Sequence, residues 1–282
     1  MADAAGAAAA TARVDVGGVE LAVAESGRGG RPLLLVHGFT GAKEDFADWM
    51  GRFADDGWWV LAPDLRGHGA SSQPADEASY SLATFATDLW ALVDHAGWDR
   101  FALLGHSMGG MIAQELVLQH PERVERLVLM DTDGGPARGI DAETVAFGVE
   151  VLRTQGLPAL LALIDQLPTP PRSPAEERLR ATRPGFAEWC DAKLRASAPA
   201  MYAAMALELT SRPDRLPELA GLDVPTRVVV GEQDRDFLGG SRRLAEAIPG
   251  ADLVVVPDAA HSPQLENPVA WWEAVGPWLA AR

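Results

Sequence analysis

An apolar, strand-like run turns directly into a helix-forming run in Phe101-Ala-Leu-Leu-Gly-His-Ser-Met-Gly-Gly110, and Ser107 stands at the junction between Gly105 and Gly109. The pattern Gly-x-Ser-x-Gly at such a junction is typical of a nucleophile elbow, in which a strained turn exposes a serine at the carboxyl edge of a sheet. The helix directs the positive end of its dipole toward negative charge that develops beside the serine. We therefore predict that Ser107 is a nucleophile.

Three further segments consist of an apolar strand that ends in a polar or glycine-bearing loop. The first is Leu33-Leu-Leu-Val-His-Gly-Phe-Thr-Gly41, whose loop can offer a backbone N–H to an oxyanion. The second is Thr226-Arg-Val-Val-Val-Gly-Glu-Gln-Asp234, which ends in an acid. The third is Leu253-Val-Val-Val-Pro-Asp-Ala-Ala-His261, which ends in a histidine. A serine, an acid and a histidine therefore follow one another along the chain.

With these segments the chain resembles the α/β-hydrolase superfamily, in which serine, acid and histidine occur in this order. The resemblance extends from about Val14 to about Leu279 and is weak between Gly134 and Leu216. It implies the α/β fold class, with a mostly parallel, doubly wound sheet of about eight strands and an inserted helical cap. Apolar strands that alternate with helical runs favour the same sheet.

The resemblance also implies a role for each site residue. A serine hydroxyl needs a base within hydrogen-bond reach, and His261 is the candidate because it follows a strand directly. Asp234 is expected to fix the tautomer of His261 and to stabilise its protonated form. The backbone N–H groups of Phe39 and Met108 are expected to form the oxyanion hole.

Two other acids compete with Asp234 for the third role. Asp236 lies two residues further on, and Asp131 ends the sixth strand, where some relatives carry the acid. The match of Gly231-Glu-Gln-Asp234 to the family pattern favours Asp234.

The pattern of strand-like and helical runs divides the chain into three parts. We expect a disordered leader at residues 1–12, a core at 13–135 and 218–282, and a helical cap at 136–217. Within the core, Val14–Ala24 has the two-residue alternation of a hairpin around Gly17-Gly18. The cap consists of apolar helical runs separated by prolines, without a convincing strand. These runs are Thr144 to Thr154, Leu157 to Leu167, Pro174 to Ala181, Phe186 to Ala196 and Ala200 to Leu209.

Apolar residues of the cap are candidates to line the substrate pocket, because caps of this kind cover the serine in the family that the chain resembles. Each of them also fits the interior of a helix layer. The candidates are Phe147, Leu152, Trp189, Met201, Met205 and Leu209.

Composition limits the partners. The 282 residues are 48% hydrophobic, which is enough for a sizeable core, and the formal net charge is −16. That charge repels phosphate backbones and anionic lipids, so we expect no nucleic acid partner and no membrane partner. No run approaches the roughly 18 apolar residues of a membrane span, and the first residues lack a basic region, so we expect a cytoplasmic protein.

Cys190 is the only cysteine, which excludes an internal disulfide and a thiolate metal cluster.

These residues indicate a serine hydrolase that cleaves a carboxylic ester or lactone, a small-molecule substrate, through an acyl-enzyme. We expect no metal and no cofactor, and either a monomer or a homodimer. Three alternatives stay open: hydrolysis of a carbon–carbon bond in a vinylogous diketone, an acyltransferase or lyase on the same scaffold, and a receptor-like binder with negligible turnover.

Overall fold

A computed structural model describes residues 10–137, 141–166 and 171–281. Its strands are β1 (Ala10–Asp15), β2 (Glu20–Ser26), β3 (Arg31–Val36), β4 (Trp58–Pro63), β5 (Phe101–His106), β6 (Val124–Met130), β7 (Thr226–Gly231) and β8 (Asp252–Val256). They form one sheet in the order β1-β2-β4-β3-β5-β6-β7-β8. The pairs β1·β2 and β2·β4 are antiparallel and the other pairs are parallel. The expected mostly parallel sheet of eight strands is thus confirmed.

Some of the described helices cover the two faces of this sheet, and others lie in the segment between β6 and β7. The described helices are α1 (Ala47–Asp55), α2 (Leu82–His95), α3 (Met108–Gln119), α4 (Ala142–Gln155), α5 (Leu157–Ile164), α6 (Pro174–Thr182), α7 (Phe186–Arg195), α8 (Pro199–Ser211), α9 (Leu216–Leu219), α10 (Leu238–Ala247), α11 (Pro263–Glu266) and α12 (Pro268–Ala280). Short 3-10 helices occupy Lys43–Phe46, Glu77–Ser79 and Pro121–Arg123. The α2 helix begins directly after Ser81, whose hydroxyl accepts a hydrogen bond from Thr84 N at 3.0 Å.

Both faces of the sheet are covered, which explains the continuous apolar runs of its central strands. In β5, Phe101 and Leu103 point into a core shared with α2, α3 and α10. Ala102 and Leu104 point into the opposite core, shared with α1 and α12. The carboxyl ends of β5, β6 and β7 therefore lie side by side on a rigid support.

The N-terminal hairpin begins earlier than the expected end of the leader. Ala10 pairs with Glu25 and Ala12 with Val23, so residues 10–12 belong to β1 because their backbone groups complete the antiparallel ladder with β2. Residues 1–9 of the expected leader lie outside the described residues.

Between β6 and β7, regular structure is helical wherever the chain is described. A small core of this segment consists of Val149, Leu152, Leu160 and Ala203. The α8 helix also contributes to the main core of the sheet, through Met201, Met205 and Leu209. The α8 helix therefore packs on the sheet, and the cap expected at 136–217 stays a prediction. Residues 138–140 and 167–170 of that segment lie outside the described part of the chain.

No helix in the described ranges is both long and apolar enough to cross a membrane.

Candidate active site

Ser107 occupies the tight turn between β5 and α3. Its φ of 55° and ψ of −119° place a non-glycine residue in the strained region that an elbow requires. A Cβ atom at Gly105 would lie 2.2 Å from Gly109 O, and one at Gly109 would lie 2.2 Å from Val36 O. Both positions therefore need glycine, because α3 approaches β3 and β5 closely.

Three side chains predicted from the sequence meet at this turn. His261 Nε2 lies 3.0 Å from Ser107 Oγ, and His261 Nδ1 lies 2.8 Å from Asp234 Oδ2. Asp234 is buried and accepts only, so Nδ1–H donates to it and Nε2 is left to accept from the serine hydroxyl. A base is thus within reach of a candidate nucleophile, with an acid orienting the base.

The electrostatics favour a protonatable histidine beside a charged acid. Burial lowers the pKa of His261, but the hydrogen bond and charge of Asp234, with the charges of Glu266 and Asp236, outweigh it and the net shift is upward. Burial raises the pKa of Asp234, but the hydrogen bond and charge of His261 make the net shift downward. Asp234 therefore stays ionised and stabilises the protonated imidazole.

The loop that carries His261 is clamped by Glu266, which the sequence did not reveal. Its Oε2 accepts hydrogen bonds from Ala260 N at 2.6 Å and from Ser262 N at 3.1 Å. His106 Nε2–H donates to His261 O at 2.6 Å, and the Phe237 ring stacks on the His261 ring at 4.8 Å. No local pattern marks Glu266, because its partners are backbone amides of the preceding loop.

The two competing acids differ in position. Asp236 is exposed. Asp131 is fully buried, and its Oδ1 accepts a hydrogen bond from Gly231 N at 2.9 Å. One side-chain ligand atom each from Asp131, Asp234 and His261 lies within 4.8 Å of the others. A metal ion bound by all three would have to displace the proton that His261 Nδ1 donates to Asp234, so these residues fit a hydrogen-bonded array better than a metal centre.

The predicted oxyanion hole involves backbone groups beside Ser107. A Cβ atom at Gly38 would lie 3.0 Å from Ser107 Cβ, so the Gly38-Phe39 loop lies against the serine. Met108 is the first residue of α3, where a backbone N–H has no carbonyl partner within the helix. Donation by the Phe39 and Met108 amides stays a prediction.

A cavity of about 180 Å³ opens over Ser107. The sheet side contributes Phe39, His261 and Gln264 among others, and α7 contributes Phe186, Trp189, Cys190 and Lys193. Of the six pocket residues expected in the cap, Trp189 lies in this wall. Leu152 is buried in the small core with Val149, and Leu209 is buried in the main core. Phe147 is 60% exposed and outside the cavity lining, and Met201 and Met205 are fully buried in the main core, because their helices turn those faces elsewhere.

An ion pair that the sequence did not indicate closes one side of the cavity. Lys193 Nζ pairs with the buried carboxylate of Asp45 and lies 3.7 Å from the centre of the Trp189 ring. The two charged residues are 148 positions apart, so no local pattern could join them. This pair connects α7 to the 3-10 helix Lys43–Phe46 before α1, and it puts a cation within the cavity wall.

The sheet order, the elbow and the hydrogen-bonded serine, histidine and acid define the class of α/β hydrolases. Comparison with known proteins gives the same class, because the model of the alpha/beta hydrolase fold family matches residues 31–268. The chain belongs to this family.

Relatives across nearly the whole chain carry different activities in their names. A putative 2-succinyl-6-hydroxy-2,4-cyclohexadiene-1-carboxylate synthase of Bacillus subtilis is 27% identical over 94% of this chain and 96% of its own. A 2-hydroxymuconate semialdehyde hydrolase of Pseudomonas putida is 31% identical over 89% and 88%. The crystal structure of an enol-lactonase from Burkholderia xenovorans superposes with a TM-score of 0.81 at 26% identity, covering 96% of this chain and 100% of that one.

Proposed function

We propose that the protein is a serine hydrolase that cleaves a carboxylic ester or lactone through an acyl-enzyme. One observation carries the proposal: His261 Nε2 is 3.0 Å from Ser107 Oγ while its Nδ1 is 2.8 Å from Asp234. That arrangement supplies the base without which a serine hydroxyl is a poor nucleophile at neutral pH.

The reaction needs only groups of this chain and water. Ser107 Oγ attacks the carbonyl carbon and His261 Nε2 takes its proton, while the Phe39 and Met108 amides hold the oxyanion. As the tetrahedral intermediate collapses, His261 returns the proton to the leaving oxygen, and the carbon–oxygen bond of the ester breaks. Water then attacks the acyl-enzyme with His261 as base, which frees the acid and restores Ser107.

The cavity supports a small substrate. Its volume of about 180 Å³ is below the roughly 300–1,000 Å³ of pockets for drug-sized ligands. We therefore propose a short acyl group or a small lactone, and the solved enol-lactonase of similar fold supports the lactone class. Long-chain esters would have to displace the wall that α7 provides.

A second candidate is hydrolysis of a carbon–carbon bond. The relative that is 31% identical is named for a semialdehyde substrate and not for an ester. The same serine, histidine and oxyanion donors suit attack on a ketone carbonyl.

A fluorophosphonate probe tests the proposed nucleophile. The wild-type protein should be labelled at Ser107, and Ser107→Ala should lose labelling and about a millionfold in turnover of an aryl acetate. Ser262→Ala is the matched control, because Ser262 lines the same cavity and should leave labelling intact. Labelling retained in Ser107→Ala would reject Ser107 as nucleophile, and labelling without turnover of esters or lactones would point to a binder.

A panel of substrates separates the two enzyme candidates. Specificity constants for short and long aryl esters, small lactones and a vinylogous diketone should be highest for the short esters or lactones. Faster turnover of the diketone would favour the carbon–carbon candidate.

A further inference from the structure

A second carboxyl group lies behind the acid that orients His261. Asp131 ends β6 and has no exposed surface, and its own side chain has a single backbone donor, Gly231 N, on Oδ1. Among the described residues, no N–H or O–H group faces Asp131 Oδ2. A buried oxygen without a donor is costly, so this one requires an explanation.

The neighbour that explains it is Asp234. A side-chain oxygen of Asp131 lies within 4.8 Å of one of Asp234, and a hydrogen bond between two carboxyl groups requires a proton on one of them. Asp234 already accepts from His261 Nδ1 at 2.8 Å and from Phe237 N at 3.3 Å. The pair holds one negative charge more easily than two, since like charges this close in a buried site oppose each other.

The geometry points to Asp131 as a positioning residue: it stays a neutral carboxylic acid and donates a hydrogen bond from Oδ2 to the carboxylate of Asp234. The proton remains on Asp131 because Asp234 has the better donors. Burial first, and then the charge of Asp234, raise the pKa of Asp131 well above its ordinary value, with a smaller contribution from Glu266.

This hydrogen bond has a consequence for catalysis. It fixes the carboxylate of Asp234 from the side opposite His261, and it leaves a single negative charge behind the imidazole. The positioning role rests on the proposed function, whereas the neutral state of Asp131 does not depend on any turnover.

The protonation state is measured first, without turnover. We would compare the infrared spectra of the Ser107→Ala protein and the Ser107→Ala/Asp131→Asn protein near neutral pH. The first should show the carbonyl band of a protonated carboxyl group, and the second should lack it. If Asp131→Asn removed the band of an ionised carboxylate and not that of a protonated carboxyl group, the proposal would be overturned, whether or not the protein is an esterase.

The positioning role is measured next in the active protein. An asparagine can accept from Gly231 N and donate to Asp234, so Asp131→Asn should keep kcat within about threefold and leave the pH profile of kcat/KM unchanged. Asp131→Ala removes the donor and should lower kcat about 10- to 100-fold with little change in KM. If Asp131 were ionised, Asp131→Asn would remove a negative charge and move the acidic limb to lower pH by about one unit, which would overturn the proposal.

A folding failure does not obscure the outcome. Asp131→Ala also leaves Gly231 N without its acceptor and is the variant at risk of misfolding. Asp131→Asn keeps both hydrogen bonds, and a loss of activity in it as large as that caused by Asp234→Asn would also reject the positioning role.

Discussion

At the scale of single residues, the orientation of His261 depends on Asp234. Without an acceptor for Nδ1–H, the imidazole can place its proton on Nε2, which then cannot accept the proton of Ser107. Asp234→Asn should therefore lower kcat roughly ten-thousandfold, as the equivalent change does in a serine protease. We would measure aryl acetate turnover in the folded variant.

The control for this prediction lies two residues away. Asp236→Asn removes the same type of charge at an exposed position that does not contact His261 Nδ1, and should cost less than tenfold. Equal losses in the two variants would show that Asp234 acts only through long-range charge.

The raised pKa of His261 predicts the pH dependence of activity. In the proposed reaction the neutral imidazole is the base, so protonation of His261 below its pKa should stop the reaction. Because the net shift of the pKa is upward from 6.5, the acidic limb of kcat/KM should have its midpoint above pH 6.5. Initial rates with a non-ionising ester measure this midpoint. A midpoint at or below pH 6.5 would contradict the charge balance around His261.

At the scale of elements, α7 forms the wall of the cavity opposite the sheet. Trp189→Ala should shift relative specificity between short and long aryl esters by about 1–3 kcal/mol, because it enlarges the cavity without touching Ser107 or His261. The control is Phe147→Ala, an aromatic truncation at a position 60% exposed and outside the cavity lining, which should leave the ratio unchanged. Equal losses on every ester in folded Trp189→Ala would mean that α7 helps to assemble the catalytic groups.

The strands and the elbow were predictable because their signals are local. Gly105 and Gly109 lie on either side of Ser107, and two apolar runs end in Asp234 and His261. Each of these local patterns indicates a strand and the candidate site residue that follows it. The cavity wall was less accessible. Trp189, Phe147 and Met205 are all apolar helix residues, and only the packing of helices against the sheet decides that one faces the cavity, one the solvent and one the core.

Contacts between distant segments could not be predicted for the same reason. The pair of Lys193 with Asp45 joins α7 to the 3-10 helix that precedes α1. Glu266 binds the His261 loop through backbone amides, which carry no sequence signal. The position of Asp131 directly after β6 marks it as a possible acid. Its contact with Asp234 depends on the register of β6 with β7.

At the scale of the whole molecule, the loops at the carboxyl edge of the sheet are held by neutral histidines. Burial lowers the pKa of His37 to about 4 and that of His68 to about 3. Burial, helped by the charge of His261, lowers the pKa of His106 to about 3. Each of these groups stays unprotonated in the folded state at a pH where the unfolded chain takes up a proton.

His37 shows most clearly why the folded state resists the proton. Its Nδ1–H donates to Gly38 O at 2.8 Å, and its Nε2 accepts from Leu65 N at 3.1 Å. If Nε2 were protonated, its N–H would face the N–H of Leu65, and neither group would have an acceptor. Between pH 6.5 and about 4 the unfolded state therefore binds more protons, and the free energy of unfolding falls as the pH falls.

We expect this histidine alone to contribute a slope of up to about 1.4 kcal/mol per pH unit across that range. We would measure the free energy of unfolding in urea from about pH 7.5 down to about pH 5. It should fall less steeply with falling pH in His37→Asn than in the wild type, whatever the absolute stability of the variant. His95→Asn, at an exposed position, controls for the loss of a histidine. If His37→Asn retained the wild-type slope, the acid sensitivity of the fold would have to come from other groups, and His37 would not be held neutral by its two hydrogen bonds.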